Sequence, residues 1–211
     1  GVMDGVSVRN ILIEGTECPL YIRLADRGRK YKEDAPQPSV GTMKNICISN
    51  ILAYGTGNFC SSITGIPDGM IENVYLDQIR FINKGGLGKG SFLTEELIKG
   101  KRHDTTGDLD LDRYWPSFRR VPEDEKGYPQ PTVWRNLPSY GLFIRNVKNI
   151  VLDHATFKSE APDPRIPVIA VNVDDLQINR LDVLPDAADD ILLNRVRRYD
   201  IDSSLRVKEE K

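Results

Sequence analysis

The residues best suited to chemistry in this 211-residue chain form two sets, one basic and one aromatic. Arg23, Arg27, Arg29 and Lys30 crowd into eight positions. Guanidinium groups pair with carboxylates bidentately, so this set suits an acidic ligand; the plainer reading is a solvated loop. Trp115 and Trp134, with Tyr114 and Tyr128, occupy a stretch rich in Gly, Pro, Lys and Asp. Such rings stack on sugars or pin a loop to the body beneath it. His103-Asp104 sets an imidazole beside a carboxylate, a pairing that can move protons but is also a common dipeptide. Asp174-Asp175, Asp189-Asp190 and the acids Asp108, Asp110 and Asp112 complete the polar candidates. No metal-ligand spacing emerges, and the glycines near 85–90 are not followed by the Lys-Ser or Lys-Thr of a phosphate loop. No cofactor is implied.

What must hold these residues is a repeat. Five segments share one template, beginning at Gly5, Asn45, Asn73, Asn149 and Asp175. At the second, fourth, seventh and ninth places all 20 residues are apolar, against about 8 expected from 39% hydrophobic composition. Apolar residues two apart face one side of a strand. The step of three between the fourth and seventh places breaks that alternation, so two short strands must meet at a bend. Asn10 and Asn50 occupy it, and asparagine tolerates the left-handed backbone a bend requires. The two are expected to stack as a side-chain ladder, and His154, at the same place, to be structural. A strand, a bend and a second strand with one apolar side make half a coil of a parallel β-solenoid. Residues 19–24, 61–64, 142–147 and 167–173 supply the third strand.

The sequence therefore predicts an all-β, right-handed parallel β-helix over 1–188, with a long insertion at 84–140 and a smaller one at 26–40. Residues 189–211 read as a helix or polar cap, with Ile191, Leu192, Leu193 and Val196 on an apolar side. Template sequence begins within five residues of Gly1, so the first coil is expected either to continue into preceding coils or to meet another chain, a route to self-association. Three cysteines, Cys18, Cys47 and Cys60, are read as buried thiols, with one disulfide left open. A net charge of −2 gives no basic footprint for nucleic acid, and no apolar run is long enough for a membrane-spanning helix. Residues 1–5 lack the character of a secretory leader.

The repeated Asn, Ile and Val pattern resembles glycoside hydrolase family 28, the polygalacturonases. Leu20-Tyr21-Ile22-Arg23-Leu24, Pro138-Ser139-Tyr140-Gly141-Leu142-Phe143-Ile144-Arg145, Ile66-Pro67-Asp68-Gly69-Met70-Ile71-Glu72-Asn73 and Pro162-Asp163-Pro164-Arg165 carry the likeness. The resemblance implies a pectin-lyase-like β-helix acting on or binding galacturonate-containing polysaccharide outside the cytoplasm, extracellular or periplasmic. It implies a carboxylate-clamping role for Arg23, since Ile22-Arg23-Leu24 stands where the family carries Arg-Ile-Lys. The family's Asn-Thr-Asp and Gly-His-Gly motifs are absent from this chain, and Asp174-Asp175 and Asp189-Asp190 follow Arg23, the reverse of the family order. The catalytic aspartates are thus expected upstream of this chain, and Arg23, Arg27, Arg29, Lys30, Trp115 and Trp134 are the expected sugar-binding residues. A non-catalytic carbohydrate-binding or structural solenoid, and a polysaccharide lyase, are the competing readings.

Overall fold

The computed structural model describes residues 1–87, 117–184 and 187–211. Strands β1 (Val2–Glu14), β2 (Tyr21–Arg23), β3 (Thr42–Thr56), β4 (Ser61–Thr64), β5 (Ile71–Asn83), β6 (Ser139–Ser159), β7 (Ile166–Val183), β8 (Ile191–Ile201) and β9 (Val207–Glu210) form one sheet. Every pairing between them is parallel. The main order is β1-β3-β5-β6-β7-β8-β9, with β2 and β4 joining at the side of β6. There is no α-helix among the described residues; Phe118–Arg120 and Pro131–Val133 are single 3-10 turns.

Register follows the template. Val8, Ile48, Leu76, Leu152, Ile178 and Ile201 stand opposite one another in an unbroken file. A second file, from the short strands, runs Ile22, Ile63, Ile144, Ala170 and Leu193. Both files enter one apolar core. In the middle strands the template side chains are almost wholly buried; in β1 they are half-buried or exposed. Each such Leu or Ile taken from water contributes roughly 1.5–3 kcal/mol, which fixes the register because a one-residue slip would turn the whole file outward. At β1 the core opens into a cavity of about 420 Å³ lined by Val6, Val8, Ile22 and Ile48, and no described strand pairs with the far edge of β1.

The bends sit where the step of three places them. Asn10 and Asn50 have φ of 58° and 54°, and Gln78, His154 and Arg180 repeat the geometry at 52°, 48° and 54°. Asn50 Nδ2 donates to Asn10 Oδ1 at 2.8 Å, the expected ladder. A longer ladder runs along the first template place: Asn45 Nδ2 to Asp4 Oδ1, Asn73 to Asn45, and Asn149 to Asn73. Asn45, Asn73 and Asn149 are left-handed too.

The tail departs from the helical alternative. Residues 191–201 are strand β8, laid on β7 in register. The physical reason is that Ile191-Leu192-Leu193 is buried on both sides: Ile191 and Leu193 enter the core, while Leu192 joins a separate apolar cluster. A short continuous apolar run is what a doubly covered strand requires.

Candidate functional site

The short-strand file has an outer face as well as an inner one. Tyr21, Phe143, Ile169 and Leu192 alternate outward from it, and with Phe118, Val121, Trp134 and Leu137 they form a second apolar cluster. Part of the long insertion thus lies across this face. Beside the cluster runs the column Arg23, Thr64, Arg145, Val171, Asn194, set by the parallel register.

Arg23 and Arg145 both stack on Trp134, their guanidinium carbons 4.4 and 5.4 Å from its ring centroid. Arg145 donates to the carbonyls of Val121 and Pro122, each at 2.8 Å, and Arg23 to those of Glu123 and Asp124, each at 2.7 Å. Two arginines thereby hold four successive carbonyls of the covering segment. Trp134 Nε1 donates to the Pro122 carbonyl, and Asn146 Nδ2 to the Glu123 carboxylate. Burial pushes the Arg145 guanidinium down to about 10, opposed by Glu123, whose carboxylate lies 3.4 Å away. Burial also lowers Arg23, against the pull of Tyr21, Asp124 and Glu123, and raises the Tyr21 hydroxyl to about 12. Both arginines stay cationic at neutral pH.

Alongside this buried pair lies a groove of about 520 Å³, bordered by Arg119, Arg120, Asn194, Arg195 and Lys211 with Glu123 and Arg145 at its wall. Arg119, Arg120, Arg195 and Lys211 are exposed, and among the described residues Glu123 is the one acidic side chain in the lining. Arg119 Nη2 donates to the Lys211 carbonyl and lies 3.4 Å from Glu210. Arg195, with φ of 53°, occupies a bend in line with Asn172 and Asn146. Positive potential gathered in a concave site with one acid suits an anionic ligand.

Of the residues expected from sequence, Arg23 and Trp134 are brought together, but both are buried and serve to hold the covering segment. The clamp implied for Arg23 has Nη2 turned to the protein's own carbonyls and Nη1 to the Thr64 hydroxyl. Arg27 stacks on Tyr128 at 4.6 Å, at the surface, and Arg29 and Lys30 are exposed. Trp115, Tyr114, His103-Asp104 and the acids from Asp108 to Asp112 lie outside the described residues. Asp175 is held bidentately by Arg198, which keeps its carboxyl below the ordinary range, and Asp174 faces Arg197 at 3.5 Å. Asp190 grips Arg206 by side chain and backbone. Asp174, Asp175 and Asp190 are thus engaged in structural ties. The cysteines are free thiols; burial raises Cys18 and Cys60 to about 12.

Arg119, Arg120, Arg145, Arg195 and Lys211 escaped the sequence reading. One signal was present: Phe143-Ile144-Arg145 repeats the aromatic-Ile-Arg order of Tyr21-Ile22-Arg23, and the two arginines share a column. Set against known proteins, the chain matches no family model, no curated protein and no solved structure at a significant level.

Proposed function

We propose that the parallel sheet is the wall of a right-handed parallel β-helix of the polygalacturonase-like type, and that this chain binds galacturonate-containing pectic chains in the groove beside Arg145. Such polymers would place it in an extracellular or periplasmic setting. The observation that carries the reading is the row of exposed cations, Arg119, Arg120, Arg195 and Lys211, along one concave site. A polyuronate presents a carboxylate on each sugar, and spaced guanidinium groups match that repeat. Binding is favoured over hydrolysis because inversion needs two carboxyl groups about 6.5–9.5 Å apart, whereas among the described residues Glu123 is the one acidic side chain that lines the groove. The stacked files in parallel register support the helical wall.

Calorimetric titration with oligogalacturonates tests this. Arg195→Asn removes one cation while supplying the residue found at the same bend in Asn146 and Asn172. It is expected to weaken binding about tenfold, the loss of one charge-assisted hydrogen bond of roughly 1.5 kcal/mol. Neutral oligosaccharides of equal length are expected to bind far more weakly. A chain that ignores oligogalacturonate would favour a purely structural solenoid, which the covered outer face also suits. Reducing sugar released from pectic oligosaccharides would overturn the non-hydrolytic reading.

A further inference from the structure

We propose that Asp77, Asp153 and His154 form a binding site for a divalent transition-metal ion, independent of the groove. Asp77 on β5 and Asp153 on β6 stand directly opposite each other in parallel register. Like charges opposed on neighbouring strands repel, and among the described residues neither carboxylate has a Lys or Arg ion-pair partner. The imidazole of His154 lies between them. Its Nδ1 is 2.9 Å from Asp153 and 3.6 Å from Asp77, and one ligand atom from each residue lies within 4.8 Å of the others. One imidazole with two carboxylates is a donor set that zinc accepts, at about 2.0–2.2 Å per bond, leaving a position for water. All three side chains are partly exposed, so an ion can enter from solvent.

Two features show how the site is built. His154 occupies the left-handed bend, φ 48°, that asparagine fills in Asn10 and Asn50. Imidazole is the less usual tenant of that conformation, and here it points at two acids. Asp153 and His154 adjoin in the chain, but Asp77 lies 76 positions before Asp153 and only strand register brings it to them. The ring's other nitrogen lies 2.8 Å from Arg180 Nη1, so Nε2 accepts and Nδ1 carries the proton in the metal-free state. Binding a metal at Nδ1 shifts that proton to Nε2, which ends the Arg180 hydrogen bond. Arg180 is exposed and turns to solvent.

Titrating Zn²⁺ into the full chain by calorimetry tests the site. One ion per chain is expected. His154→Asn, which suits the bend, is expected to weaken zinc by at least roughly tenfold while the metal-free thermal midpoint holds or rises. Asp77→Asn and Asp153→Asn should each weaken it likewise, and Arg180→Ala should leave it unchanged or tighter. Absence of zinc binding by the parent chain, an unchanged isotherm in His154→Asn, or weaker binding in Arg180→Ala would each overturn the proposal.

Discussion

Arg165→Met is expected to destabilise the protein by about 3–5 kcal/mol, the usual cost of leaving one member of a buried ion pair alone. Both Arg165 and Asp163 have side chains fully removed from solvent. The pair is bidentate, Nε to Oδ1 at 2.9 Å and Nη2 to Oδ2 at 2.6 Å. Nη1 adds the carbonyls of Asn58, Leu137 and Ser139. One guanidinium therefore joins the loop before β4 to the entrance of β6, across more than 100 positions of chain. Methionine fills the volume but, among the described residues, leaves the Asp163 carboxylate with only a backbone donor, the Arg165 amide. Urea unfolding measures the loss. The double variant with Asp163→Asn is expected to recover part of it, because the stranded charge is then gone. A single substitution costing under 1 kcal/mol would show that water reaches the carboxylate.

The second large effect is at Trp134. Trp134→Ala is expected to cost about 3–5 kcal/mol, since the side chain is only 1% exposed and central to the outer apolar cluster. It also removes the ring against which Arg23 and Arg145 lie, so the segment 117–137 should become sensitive to protease at concentrations the parent resists. Unfolding and limited proteolysis together decide between the two readings of this tryptophan. Unchanged stability with lost oligogalacturonate affinity would make it a sugar platform.

What the sequence made legible was the periodic part. The apolar quartets, the bend at Asn10 and Asn50, and the third strands all follow from side-chain alternation, a local property, and they reappear in register. Less legible were the bends at Gln78 and Arg180, residue types that carry no left-handed signature and accept it because the files on either side are fixed. The candidate site was half legible. The basic cluster and the family resemblance marked Arg23 for chemistry, yet whether such an arginine meets a ligand or a carbonyl depends on what covers it. That cover comes from 100 residues further on, and Arg195 and Lys211 arrive from further still. Of the two readings of the tail, the helix failed because an apolar triplet beside arginines fits a helix face and a doubly covered strand equally well.

The asparagine ladder that starts at Asp4 has a polarity. Every amide donates its NH₂ group toward β1, and Asn45 and Asn73 accept from the side of β6, so the group dipoles add like cells in series. The positive end meets the Asp4 carboxylate, which the Asn45 hydrogen bond holds below its ordinary range. A helix gains in the same way from an acid at its amino end. Ageing of the protein should therefore be lopsided. Deamidation of Asn149 forfeits one donated bond, roughly 1 kcal/mol, at the end of the stack. Deamidation of Asn73 forfeits the same kind of bond, to Asn45, but leaves a carboxylate that still accepts from the Asn149 amide, now charge-assisted, so Asn149→Asp should lower the thermal midpoint more than Asn73→Asp.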